Sequence, residues 1–255
     1  MRLASIMGTA AVRSLAPKGT LRVGINMSNF LLVSSRGPAG EPQGVAPDMG
    51  ASLASALGLP VEYVQYANPG LLGDAARDGA WDVALLGAEP ARAATMSFTL
   101  PYAEIEATYL VRDAKRLPTV QAVDAAGVSV AVSRRAAYEL WLSANLERAT
   151  LHRTAEPGLL LSRELFLSEG HDALAGLRPW LVEQCETIPG SAVLDGRFAS
   201  VQQALCTPRS REPGGGGEAT YLEHLNGWIQ EAKASGLVEG LIEKHGVSGK
   251  LSVAT

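Results

Sequence analysis

The chain has 255 residues, 47% of them hydrophobic and 19% charged, with a net charge of −4. That is enough material for two lobes of ordinary size with ample core, and it excludes a disordered or fibrous polypeptide. No Lys/Arg cluster is long enough to follow a phosphate backbone, so nucleic acid is not an expected partner, and no apolar stretch approaches the ~20 residues that span a bilayer.

Met1-Arg2 followed by Leu3 to Val12 faintly resembles an export segment. Ser5, Gly8, Thr9 and Arg13 interrupt it, and it offers no convincing small-x-small cleavage site before Pro17. A helix packed on the first lobe is expected instead. Thr20-Leu-Arg-Val-Gly-Ile25 reads as the first strand, rich in β-branched and apolar residues. The polar, turn-prone Asn26-Met-Ser-Asn-Phe30 follows at its carboxyl end. Asn26 and Asn29 could hydrogen-bond a ligand with Phe30 covering it, or could form Asx-turns over a core Phe30. Arg36 to Pro42 is a turn cluster between extended Leu31–Ser34 and Gln43–Val45. A helix is expected over Pro47–Leu57, stopped by Gly58, then a strand over Val61–Tyr66 and a helix over Leu71–Arg77 stopped by Gly79. Strands and helices alternating at this pace are βαβ units, hence an α/β chain with mostly parallel, doubly wound sheets.

Asp82 to Val111 carries the densest chemistry. Val83–Leu86 is a continuous apolar run, as expected of a strand covered on both faces, and Gly87 breaks it. Open α/β sheets bind ligands beyond the carboxyl ends of their strands, which puts Gly87, Ala88, Glu89 and Arg92 at the mouth of a candidate site. Pro90 suits the first turn of a short helix. Arg92 could there grip a carboxylate or phosphate through two parallel hydrogen bonds, aided by the helix end, or could lie on a solvated face.

After Val111 comes a polar connector, Arg112 to Pro118, and then a second α/β series. Val128–Val132 is a strand; Ser133-Arg134-Arg135-Ala136 opens a helix through Asn145; Leu151–Arg153, Gly158–Ser168 and Asp172–Gly176 continue as strand, helix, strand. Val201–Leu205 is a strand expected to run back to the first lobe, and Gly214–Gly217 marks a flexible loop. Helices over Tyr221–Ser235 and Leu237–His245 finish the chain. Cys185 and Cys206 make no disulfide framework. The histidines at 152, 171, 224 and 245 show no ligand spacing, so no metal or other cofactor is expected.

In order and spacing, Gly19-Thr-Leu-Arg-Val-Gly24, Gly44–Gly58, Trp81-Asp-Val-Ala, Arg92, Phe98-Thr-Leu-Pro-Tyr102, Tyr109-Leu-Val111, Gly127–Val132 and Ala234-Ser-Gly-Leu237 resemble the bacterial extracellular solute-binding proteins of family 3, the substrate-binding components of polar-amino-acid ABC transporters. The resemblance covers about Gly19 to Val247. It implies the type II periplasmic binding protein fold: two α/β lobes, 1–109 with 207–255 and 110–206, joined by crossover hinge strands at Thr108–Val111 and Gln202–Thr207. It further implies a ligand cleft closing like a hinge. An Arg at the position of Arg92 grips the ligand's α-carboxylate in that family. Its usual first-lobe partners are Ser, Thr or Gly, where this chain has Gly87-Ala88-Glu89, and the second-lobe Gly-Ser/Thr step is replaced by Arg135-Ala136. The family's Asp for the α-ammonium corresponds to Leu177, followed by Arg178 as a further cation. Gln202 is included among the ligand contacts.

Two functions compete on this basis. One is a monomeric, non-enzymatic protein that captures a small anionic or polar solute, amino-acid-like or a carboxylate, and presents it to a membrane permease. The other is an enzyme of the cyclohexadienyl dehydratase kind, which needs a protonated carboxylic acid in a dry cleft. Glu89, Glu104 and Glu106 are the candidates for that acid; Glu104 and Glu106 are expected to alternate across a strand, so that at most one faces a given side. The resemblance implies the periplasm, while the N-terminal segment leaves the cytoplasm open.

Overall fold

The computed structural model describes residues 3–209 and 221–255, and the chain divides into two compact units, Met1–Glu104 with Gln202–Thr255 and Ile105–Val201. The second unit therefore begins before Leu110 and ends before Cys206, the positions expected from the sequence. Gly214–Gly217 lies outside the described residues.

The first unit opens with α1 (Leu3–Leu15), which buries Leu3, Met7, Val12 and Leu15 and is kinked where Gly8 adopts φ +77°. β1 (Leu21–Asn26) is buried at its first five positions. β2 (Ser35–Arg36) and β3 (Pro42–Gln43) form a hairpin of two-residue strands, shorter than expected because Asn29, Leu32 and Val33 are taken up in turns. α2 (Val45–Leu57) ends on Gly58 in the left-handed conformation and packs on β1. β4 (Val61–Tyr66) lies parallel to β1. α3 (Pro69–Asp74) is capped by Asn68, whose side chain accepts from Leu71 N at 3.0 Å. β5 (Val83–Gly87) is buried throughout and pairs in parallel with the other edge of β1. Where a helix was expected next, Pro90–Arg92 makes a single 3-10 turn. Three residues are too few to supply the aligned N–H groups of a helix end. β6 (Met96–Val111) then carries the chain into the second unit.

There α4 (Val120–Val123), capped by Thr119, precedes β7 (Ser129–Val132). α5 (Ala137–Asn145), β8 (Thr150–Arg153), α6 (Leu159–Ser168) and β9 (Ala173–Leu177) follow. β7 pairs in parallel with both β8 and β9, and β9 pairs antiparallel with the second half of β6. α7 (Arg178–Cys185) was not anticipated: it buries only Trp180 and Leu181, which is too little to show a period. β10 (Ala192–Val193) pairs with β6, and β11 (Ala199–Pro208) returns to the first unit, where it runs antiparallel to β5. α8 (Tyr221–Ala234) packs on α1, Gly236 turns the chain at φ +77°, and α9 (Leu237–Lys244) and β12 (Ser252–Val253) finish it. β12 pairs with Ala103 and Glu104 of β6.

The parallel strands of the first unit stand in the order β4-β1-β5 and those of the second in the order β8-β7-β9. In each unit the chain winds one way to its second strand, then crosses back to the far side of the first. The winding direction therefore reverses between β1 and β5 and again between β7 and β9. At such switch points the loops leaving the strand ends diverge and open a crevice.

Candidate functional site

The first switch point is built by the loops after β1 and β5. Asn26 Oδ1 accepts from Ser28 N at 3.2 Å and Ser28 Oγ at 2.8 Å, and Asn29 Oδ1 accepts from Leu31 N at 3.2 Å. Both side-chain oxygens thus close Asx-turns in their own loop, with Phe30 half-buried beside them. The β5 loop is fixed by Ala88 N donating to Gln202 O at 2.8 Å, and by Arg92 Nη1 donating to Gly87 O at 2.6 Å. Arg92 is only 8% exposed and Glu89 7%. Burial pushes the Glu89 carboxyl up to about 7 against the opposing charge of Arg92. Gln202 Nε2 donates to Glu104 Oε2 at 2.8 Å. Gly87, Ala88, Glu89, Arg92, Gln202 and Glu104 thus gather at the β5 end, with Asn26, Asn29 and Phe30 on the neighbouring loop.

The second switch point is built by the loops after β7 and β9. Arg134 is exposed; its N–H donates to Thr154 Oγ1 at 3.0 Å and its Nη1 to Ala155 O at 3.3 Å. Arg135 holds φ +61°, the one non-glycine left-handed residue among those described, a conformation that costs roughly 1–2 kcal/mol. Its N–H donates to Glu139 Oε2 at 3.0 Å. Glu139 is buried and also accepts from Ser143 Oγ at 2.7 Å and Arg153 Nε at 2.7 Å, so one carboxylate anchors the strained turn. Ala136 is the extended N-cap of α5. Glu139 stands three residues after it, where a capping box has its carboxylate, but reaches one residue further back, to Arg135 N; with Ala in place of Ser or Thr the sequence signature is also incomplete, and Glu139 was missed.

Leu177 is buried directly before α7. Arg178, expected as a further cation for ligand, donates from Nε to Glu106 Oε2 at 2.6 Å, from Nη1 to Leu194 O at 3.2 Å and from Nη2 to Gly196 O. Arg197 Nη1 adds a contact to Glu106 Oε1 at 2.9 Å. The Arg178 guanidinium, ahead of Arg197, holds the Glu106 carboxyl below the usual range, which suits an ion pair and not a proton donor. The expected alternation of Glu104 and Glu106 is also corrected: with a side-chain period of two, residues two apart on β6 share a face. What separates them is their partners, Gln202 for one and two arginines for the other. Cys185 and Cys206 are both free, and Cys206 is buried with its thiol pushed up to about 12.

A cavity of about 640 Å³ lies elsewhere in the first unit, lined among others by Ala4, Arg13, Lys18 and Leu59. Lys18 and Leu59 precede β1 and β4, so this cavity is at the amino edge of the sheet, away from the switch point.

Comparison with curated protein sequences finds no match. Solved structures match closely in fold. The ancestral amino-acid-binding protein AncCDT-1, a precursor of cyclohexadienyl dehydratase, is 22% identical, with 91% of this chain and 98% of that chain covered and a TM-score of 0.67. The amino acid ABC transporter substrate-binding protein AbpA from Streptococcus pneumoniae, bound to L-arginine, gives 20%, 91%, 97% and 0.66. A putative binding component of an ABC transporter from Wolinella succinogenes, complexed with lysine, gives 17%, 89%, 95% and 0.66. At these identities the likeness establishes the fold, a mixed α/β architecture of the type II periplasmic binding protein kind. The family model for bacterial extracellular solute-binding proteins, family 3, matches residues 21–248, and the chain belongs to that family.

Proposed function

We propose that this protein binds a small organic carboxylate lacking an α-ammonium group, with Arg92 receiving the carboxylate, and that it serves as the solute-binding component of an ABC transporter outside the cytoplasmic membrane. The observation that carries the reading is Arg92 itself, buried at the carboxyl end of β5 beside a switch point; the sequence resemblance adds that it stands where the family has its carboxylate-gripping arginine. Glu89 beside it is raised to about 7, so near neutral pH it does not oppose an incoming anion as an ordinary glutamate would. The residue in place of the family's ammonium-binding Asp is Leu177, which offers no charge. An ammonium buried without a counter-charge pays several kcal/mol, enough to erase micromolar binding. Relatives hold L-arginine and lysine; the substitution of Leu177 favours a different ligand here.

A thermal-shift screen of standard amino acids against their deaminated hydroxy- and keto-acid counterparts tests this reading. Stabilisation by one or more of the acids is expected; stabilisation by several amino acids and none of the acids would refute it. Fractionation of the source cells tests the compartment, and recovery in the cytoplasm alone would remove the transport role.

The raised carboxyl of Glu89 also favours one second reading, a proton donor in a dehydratase-like reaction. Release of water from a cyclohexadienyl carboxylate, followed by mass spectrometry, separates the two. Turnover that disappears in Glu89→Gln would make the protein an enzyme; the binding reading expects none.

A further inference from the structure

Three side chains of metal-ligating types, His152 and the closely spaced pair Glu169 and His171, meet in the second unit. His152 stands on β8 opposite Ala131 of β7. Glu169 caps the end of α6, Gly170 reverses the chain at φ +71°, and His171 leads toward β9 on the other side of β7. The imidazole rings of His152 and His171 have centroids 4.2 Å apart. One ligand atom from each of His152, Glu169 and His171 lies within 4.8 Å of the others. An ion with bonds of about 2.0–2.2 Å in tetrahedral geometry needs ligand atoms about 3.3–3.5 Å apart. Glu169 Oε2 and His171 Nε2 already stand at that spacing, 3.3 Å apart, and the Glu169 side chain is 58% exposed.

A second observation points to a ligand. The His171 side chain is 6% exposed, and its Nε2 makes no hydrogen bond among the described residues although Glu169 Oε2 is only 3.3 Å away. Buried polar atoms are nearly always satisfied, so a ring nitrogen whose contact with a carboxylate at 3.3 Å lacks hydrogen-bond geometry needs an explanation. Neighbouring cations do not fill the role. Arg112 sends Nε to His171 O at 2.9 Å and Nη2 to Phe166 O at 2.6 Å, and its guanidinium lies over the Phe166 ring. Arg153 is held by Glu139 at 2.7 Å, and Asp172 is engaged by Arg116 and Ser129.

We propose that His152, Glu169 and His171 form a binding site for a divalent transition-metal ion of the zinc type. Two imidazoles and a carboxylate are the donor set that zinc and its neighbours in the first transition row take, whereas magnesium and calcium call for oxygen donors throughout. His171 Nε2 gains a partner, and Glu169 and the half-buried His152 complete three protein ligands, leaving a fourth position to water. The site ties the end of α6 to β8. Sequence spacing gave no sign of it, because His152 lies on β8 and His171 in the turn before β9, and the fold alone brings the two together.

The test is calorimetric titration of the chelator-treated protein with Zn²⁺ and, separately, Mg²⁺, in wild type, His152→Gln, Glu169→Gln and His245→Gln. The first two substitutions are at half-exposed and exposed positions, and circular dichroism checks that the fold persists. The last controls for His245, which lies 2.7 Å from Asp48 in the first unit. Expected is one equivalent of zinc at micromolar affinity in wild type and in His245→Gln, weakened at least about tenfold in His152→Gln and Glu169→Gln, with no response to magnesium. Co²⁺ should give an intense tetrahedral visible band in wild type that the same two substitutions abolish. Equal zinc affinity in wild type and both variants, absence of micromolar binding, or loss only in His245→Gln would overturn the proposal.

Discussion

Glu89 is the residue whose titration reads out the environment at the end of β5. An ordinary glutamate ionises near pH 4.3, about where it would in the unfolded chain, whereas burial moves the folded value to about 7. Between those values the folded protein keeps a proton that the unfolded chain has lost, so stability falls as pH rises. The contribution is fully present below about pH 4, is lost through the interval up to about 7, and leaves the protein destabilised by roughly 3–4 kcal/mol above it. Glu89→Gln keeps the shape and removes the ionisation. Denaturant unfolding at pH 5 and pH 8 should therefore show wild type losing on the order of 2 kcal/mol relative to the variant. A difference independent of pH would mean that Glu89 is ionised in the fold. The same ionisation bears on binding: a carboxylate on Arg92 should weaken several-fold between pH 6 and pH 8, as Glu89 becomes its competitor. An affinity that rises over this range would indicate a cationic group on the ligand beside Glu89.

At the scale of elements, the family-like Trp81-Asp82 pair serves the fold. Arg22 N donates to Asp82 Oδ2 at 2.9 Å and Arg22 Nη2 meets Asp82 Oδ1 at 2.6 Å, both residues buried, which locks the starts of β1 and β5 together. Trp81 is fully buried, donates Nε1 to Leu72 O at 3.1 Å, and packs with Leu72, Ala84, Leu86 and Met96. Asp82→Ala leaves a buried guanidinium with the carbonyls of Gly79 and Ala80 but no counter-charge and should cost about 3–5 kcal/mol in denaturant unfolding. A loss under about 1 kcal/mol would show the pair to be incidental. Gly24→Ala should also destabilise, because its Cβ would stand 3.1 Å from Trp81 Cγ and 3.0 Å from Ala84 Cβ.

These elements also show what the sequence reveals. β5 and β9 were readable because apolar runs ending at a glycine or polar step mark strands buried on both faces, and β1 because of its enrichment in β-branched and apolar residues despite Arg22. The Gly87 loop and Arg92 were readable from that same ending. The 3-10 turn at Pro90–Arg92 was not, since Pro opens either kind of helix. α7 was hidden by its few buried positions. The network of Glu139 around the left-handed Arg135, and the capture of Arg178 by Glu106, depend on partners 4 and 72 residues away, the second set only by which strands become neighbours.

For the whole molecule, the two units repeat one strand order, and each places its candidate residues at the carboxyl edge where that order reverses. A solute bound to the native state alone stabilises it by RT ln(1 + [L]/Kd), so a ligand at about a hundred times its dissociation constant should add about 2.7 kcal/mol. That is readily seen as a thermal shift and supplies the acid with which to test the central claim, that Arg92 receives a carboxylate. The direct measurement is calorimetric titration of that acid into wild type and Arg92→Ala, with thermal unfolding confirming that the variant is folded. Loss of a buried charged partner costs on the order of 2–5 kcal/mol, and affinity is predicted to fall about 30-fold or more. Unchanged affinity in folded Arg92→Ala would contradict it.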